Sequence, residues 1–121
     1  MTLSILAVDD SRTMRDMIRL ALTSEGFEVF LAEDGVDGLK MLDDLTPDVI
    51  ITDINMPNLD GFGFIDGVRK DLNDRTTPIL VLTTESAAEL KQRARNSGAS
   101  GWIVKPFEQT KLVAAIRRVA A

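Results

Sequence analysis

Five short apolar runs, each followed by a segment of helical periodicity, constrain this chain more than any other feature. Ser4 to Val8 (SILAV) precedes Arg12 to Ser24, where Met14, Met17, Ile18, Ala21 and Leu22 form one stripe and Gly26 supplies a stop. Phe27 to Ala32 (FEVFLA) precedes Asp34 to Leu45, with Asp34 as expected N-cap, Val36, Leu39 and Leu42 on one face, and Thr46-Pro47 as terminator. Asp48 to Thr52 precedes Gly61 to Leu72, in which Gly61, Ile65, Val68 and Leu72 align. Pro78 to Leu82 (PILVL) precedes a helix opened by the capping-box pattern Ser86-Ala87-Ala88-Glu89 and ended by Gly98. Gly101 to Val104 (GWIV) precedes Phe107 to Val119, with Leu112, Ala115, Ile116 and Val119 inward. Such alternation predicts an α/β fold: a (βα)5, doubly wound, five-stranded parallel sheet with right-handed crossovers and helices on both faces. The runs are continuously apolar, as strands covered on both faces should be.

No repeat, low-complexity tract or linker interrupts the pattern, so one domain is expected over 1–121. The chain has no cysteine and no histidine, which excludes thiolate chemistry, imidazole ligands and a histidine general base. A net charge of −5 argues against nucleic-acid binding. No apolar stretch approaches transmembrane length, and MTLSILAVDD lacks the basic start and cleavage pattern of a signal peptide. A cytoplasmic protein without membrane contact is the expectation.

Ligands of doubly wound sheets sit outside the carboxyl ends of the strands. There the runs end in Asp9-Asp10, Glu33-Asp34, Asp53, Thr83-Thr84 and Lys105. Each has an ordinary reading: Asp10 as a helix N-cap, Thr83 as the last β-branched strand residue, Lys105 as a solvated loop lysine. Asp53 resists one, because Asn55-Met56-Pro57 does not continue as a helix. Asp9, Asp10 and Asp53 cannot all stay charged and close without compensation. Lys105 offsets one charge, and a divalent cation is the natural partner of the rest. With oxygen ligands alone that cation is hard: magnesium, manganese or calcium. Magnesium commonly shares its shell with phosphate oxygens, and a carboxylate can accept a phosphoryl group. Asp53 is the candidate nucleophile, with Lys105 and the Thr83 hydroxyl on the phosphoryl oxygens.

The motifs AVDDS (7–11), DINMPNLDG (53–61), LTT (82–84) and GASGWIVKPF (98–107), followed by Leu112, closely resemble the receiver domain of bacterial response regulators, in particular the single-domain, chemotaxis-type, CheY-like kind. The resemblance covers essentially the whole chain. It implies a flavodoxin-like sheet of order 2-1-3-4-5. It implies Asp53 as phosphoacceptor, Asp9 and Asp10 as the magnesium-binding acidic pair, and the Asn55 backbone carbonyl as a further ligand. It implies Lys105 on the phosphoryl group, Thr83 as switch hydroxyl, a cis Lys105-Pro106 bond, and Trp102 at the aromatic switch position. Asn55 and Glu85 stand where the family tunes phosphate lifetime, and resemble fast-decaying members. Thr84 departs from the smaller residue common at its position, and Trp102 from the more usual Tyr.

Without histidine, the phosphoryl group is expected in trans, from a histidine kinase, a CheA-like histidine phosphotransfer partner or a small phosphodonor. The chain leaves no room for an output domain, so output by protein contact is expected, on a surface bearing Lys91, Arg95, Trp102, Lys111 and Arg118. The flagellar motor switch is one target and a monomer the expected state. A phosphate sink or relay intermediate is the alternative within the family. A magnesium-dependent phosphatase would want a second Asp where Asn55 stands, and a flavodoxin-like cofactor binder would want a Ser/Thr/Gly loop where AVDDSR stands.

Overall fold

The computed structural model describes residues 2–121. The strands are β1 (Ser4–Val8), β2 (Glu28–Ala32), β3 (Val49–Thr52), β4 (Ile79–Thr83) and β5 (Gly101–Val104). The helices are α1 (Arg12–Thr23), α2 (Gly35–Met41), α3 (Gly61–Asp66), α4 (Ala88–Ser97) and α5 (Gln109–Ala120), with a π-helix, Gly67–Asp71, continuing α3. The five strands pair in parallel in the order β2-β1-β3-β4-β5. This is the CheY-like order that the motifs imply.

Successive strand residues point to opposite faces, so each strand feeds two cores. Ile5, Ala7 and Ile51 pack on one face with Ile18 and Leu22 of α1 and Leu112 and Ile116 of α5. Leu6, Val8 and Ile50 pack on the other with Phe64, Val68 and Ala94, from α3, the π-helix and α4. Two apolar cores leave the carboxyl ends of the strands as the open edge.

The element boundaries differ from the sequence expectations for local reasons. β2 begins at Glu28, because the Gly26 turn (φ 89°) leaves the Phe27 N–H on the Leu22 carbonyl. α2 stops at Met41, not Leu45; Asp43 and Asp44 make tighter bonds to Lys40 and Met41, as negative charge opposes a helix C-terminus. β4 starts after Pro78, which has no N–H to give the ladder, and runs to Thr83. The capping box at Ser86 does not form: Ala87 is the N-cap of α4, so Ser86 stands one position too early and no side chain caps the helix. α5 starts at Gln109, so Phe107 lies in the loop.

Three residues expected inside are exposed. Met17 lies about 100° around the helix from Ile18, off the buried stripe. Val36 sits in the first turn of α2 and faces out. Leu72 is the C-cap of the π-helix, where the chain leaves the helix axis. Val113, absent from the expected face of α5, is buried.

Asp34 does cap α2. Its Oδ1 accepts the Asp37 N–H at 2.8 Å and its Oδ2 accepts the Asn58 amide at 2.7 Å, tying α2 to the β3–α3 loop. These bonds, the backbone one first, hold its carboxyl below the ordinary aspartate value. A lowered native value stabilises the fold above the unfolded value, and that contribution is lost as pH falls through the native one. Asp34→Ala is expected to lose about 1 kcal/mol in urea unfolding at neutral pH. The gap to wild type should close under strong acid.

Candidate functional site

Three strands deliver charged groups to the open edge. Asp9 follows β1 directly, and its Oδ1 accepts the Ser11 N–H at 2.9 Å. Asp53 follows β3, its N–H bonded to the Val8 carbonyl at 3.0 Å and its Oδ1 accepting the Ile54 N–H at 2.6 Å. Lys105 follows β5, its N–H bonded to the Thr83 carbonyl at 2.8 Å. These backbone bonds fix where each side chain starts.

The side chains then converge. Lys105 Nζ donates to Asp9 Oδ2 at 2.7 Å and to Asp53 Oδ2 at 2.8 Å. All three side chains are at most 10% exposed. Burial pushes the Asp9 carboxyl up, against the Lys105 and Ser11 bonds that pull it down. Burial alone would lower Lys105, but the bonds from Asp53 and Asp9 outweigh it and the ammonium is held above its ordinary value. Lys105 is therefore a fixed cation, with its charge shared between two carboxylates.

Asp10 is exposed and completes the acidic group: one carboxylate oxygen from each of Asp9, Asp10 and Asp53 lies within 4.8 Å of the others. Three clustered carboxylates against one ammonium leave negative charge. Oxygen donors alone at this spacing fit a hard divalent cation and suit no soft metal. Asp10 does not cap α1; Ser11 does, accepting the Met14 N–H at 3.2 Å. The other carboxylates at this edge stay apart, Asp34 as the cap of α2 and Glu33 exposed.

Thr83 is fully buried at the end of β4, and its hydroxyl accepts the Glu85 N–H at 3.4 Å. Glu85 is a junction. Its Oε1 accepts the Asn55 amide at 3.0 Å, and its backbone carbonyl accepts the Trp102 indole N–H at 3.0 Å. The loop after Asp53, the loop after Thr83 and the aromatic of β5 are thus joined in one chain. Trp102 is half-buried, while Lys91, Arg95, Lys111 and Arg118 are exposed on α4 and α5. Lys105-Pro106 is cis.

Sequence reasoning missed Arg15. Its guanidinium donates to the Asp9 carbonyl at 2.7 Å and brings a cation to the acidic edge. The available signal was Ser11: a cap there starts α1 so that its second turn carries Arg15 beside Asp9.

A residue whose native value is raised stabilises the fold only below its unfolded value, and that contribution is lost as pH rises through the native one. Charged Asp9 therefore weakens the metal-free fold at neutral pH. In the absence of divalent cations, Asp9→Asn is expected to raise the urea midpoint at pH 7, with the gain vanishing below about pH 4. Lys105→Met should push Asp9 further up, read by carbon NMR titration of the carboxyl.

The sequence model of the response regulator receiver domain matches residues 5–117. A probable chemotaxis protein CheY of Rhizobium etli is 37% identical over 97% of this chain and 92% of its own length. The response regulator MprA of Mycobacterium leprae is 39% identical over 93% of this chain, which spans 49% of that relative. The structure of the chemotaxis response regulator CheY4 of Vibrio cholerae superposes with a TM-score of 0.93 at 43% identity, covering 98% of this chain and 99% of the other. The receiver domain of the sensor histidine kinase PA1611 of Pseudomonas aeruginosa, with a magnesium ion coordinated in its active-site cleft, superposes with a TM-score of 0.90 at 27% identity, covering 99% and 98%.

Proposed function

The chain belongs to the response regulator receiver domains, and we propose that it is a chemotaxis-type messenger that accepts a phosphoryl group on Asp53. The supporting observation is the Lys105 bridge between Asp9 and Asp53, with Asp10 beside it. We take residues 1–121 as one receiver domain.

Asp9, Asp10, Asp53 and the Asn55 carbonyl would hold magnesium, with manganese also suited to the donor set. When bound, the cation neutralises charge on the oxygens of the phosphoryl group. An Asp53 oxygen attacks phosphorus as an ionised nucleophile, so no base need remove a proton from it. The P–N bond to the donor histidine breaks as the P–O bond to Asp53 forms, and the electron pair leaves on the imidazole. Lys105 swings one of its N–H groups from carboxylate to phosphoryl oxygen, at little cost because it is already desolvated there. The Thr83 hydroxyl donates to another phosphoryl oxygen and gives up the Glu85 N–H. Loss of that bond, with the Glu85–Trp102 link, is the route by which the α4–β5–α5 surface changes population. Lys91, Arg95, Trp102, Lys111 and Arg118 then meet the target.

The donor in this reading is a histidine kinase or a CheA-like phosphotransfer protein, and small phosphodonors can substitute. The target in this reading is the flagellar motor switch, and the two relatives named for chemotaxis support a chemotaxis role. The domain acts on its own Asp53 and turns over no separate substrate. Among the described residues no helix is long and apolar enough to cross a membrane. The protein works as a cytoplasmic monomer without nucleic acid.

Acetyl phosphate with magnesium is expected to add one phosphoryl group by intact mass, and Asp53→Asn to add none. An adduct that survives in Asp53→Asn, or forms equally in EDTA, would contradict the reading. In this reading the hydrogen-bonded pair Asn55 and Glu85 would orient the water that hydrolyses the acyl phosphate, so Glu85→Ala should lengthen the phosphate lifetime several-fold in a phosphate-release assay.

A further inference from the structure

A cleft of about 840 Å3 opens between α3 with its π-helix and α4, away from the acidic edge. The chain is acidic overall, yet this cleft is lined by four cations, Arg69, Lys70, Arg75 and Arg93, against two carboxylates, Asp66 and Glu89. Lys70 spends its charge on Asp66 at 3.8 Å. Arg69 is nearly buried and donates twice to the Gly98 carbonyl and once to that of Asp74. Arg75 and Arg93 have no carboxylate within 4.0 Å among the described residues.

Those two arginines indicate the ligand. Arg93, an exposed residue that lines the cleft, holds its guanidinium over the Phe62 ring, 4.0 Å from the centroid. A guanidinium fixed in that way offers a stacking surface as well as bidentate donors for an oxyanion. The Ser100 hydroxyl accepts the Ile79 N–H and so keeps its own proton to donate into the cleft. The volume suits a small molecule. A protein partner would want apolar anchors, and the large exposed apolar side chains, Met17, Leu20, Val36, Leu72 and Val104, all lie off this lining.

We propose that the α3–α4 cleft binds a phosphate-bearing anion of nucleotide size, its phosphates on Arg75 and Arg93 and its base stacked near Arg93. The site is independent of Asp53. Arg69 ties the cleft floor to Gly98, the C-cap of α4, so occupancy acts on the helix that leads back to Thr83.

The test is a proton–nitrogen NMR titration in EDTA, so that no divalent cation draws phosphate to the acidic edge. ATP and GDP are the probes, with inorganic phosphate and citrate as comparators. The expected result is amide shifts over 69–75 and 93–100 with ATP or GDP, at least about tenfold tighter than either comparator. Arg75→Ala and Arg93→Gln, each folded by the same spectrum, should each weaken binding about tenfold. Lys40→Ala, an equal charge change on α2, should leave it intact. No shifts at millimolar nucleotide, an equal response to phosphate or citrate, shifts confined to the Asp53 edge, or equal weakening by Lys40→Ala would each overturn the proposal. The acetyl phosphate reaction on Asp53 is scored separately, so either reading can fail alone.

Discussion

The rest of the structure is arranged around one ammonium placed between two carboxylates. Lys105 comes from the far end of the sheet and meets Asp9 and Asp53, which leave adjacent strands β1 and β3. A buried carboxylate pair is costly, and one shared cation offsets only part of that cost. What remains is a small, desolvated, negatively charged cup whose third carboxylate, Asp10, stays in contact with water. A cup of that kind suits a hard divalent cation, and its desolvation shows at Asp9, whose carboxyl burial pushes up.

The surrounding fold keeps that cup rigid on one side and responsive on the other. On the rigid side, Gly61 bonds the Ile54 carbonyl at 2.8 Å, and a Cβ there would collide with the carbonyl oxygen of Asp53. Only glycine lets α3 begin so close to Asp53. On the responsive side, α4 has no side-chain N-cap, and Ala94 is its one buried residue. Its C-terminal end is held firmly by Arg69 on Gly98 and by Ser100 paired to Ile79. The helix is thus pinned at its C-terminal end and uncapped at the end that follows Thr83 in the chain.

How much of this was legible in sequence depends on what each feature rests upon. Strand identity, sheet class and the convergence of Asp9, Asp53 and Lys105 were legible, because continuous apolar runs ending in polar residues leave few alternatives in a parallel sheet. The strand order needed the family motifs. The capping box failed although Ser86-Ala87-Ala88-Glu89 satisfies the pattern: α4 starts one residue later, with Ala87 as its N-cap and no side chain to cap it. The π-helix was hidden because Gly61, Ile65, Val68 and Leu72 fit an ordinary helical stripe, and a single widened turn leaves no periodic mark. The Asn55–Glu85–Trp102 chain is a product of loop geometry, which side-chain spacing does not encode, whereas Arg15 became legible only once Ser11 was placed as the cap of α1.

If Asp9, Asp10, Asp53 and Lys105 form a preorganised site for a phosphoryl group with a divalent cation, beryllofluoride, an acyl phosphate mimic, should bind there, and fluorine NMR reads that binding. The expected spectrum of the wild type has a bound resonance that appears with magnesium, is absent in EDTA, and is lost in Asp53→Asn. A bound resonance without magnesium or without Asp53, or none in the magnesium-loaded wild type, would contradict it.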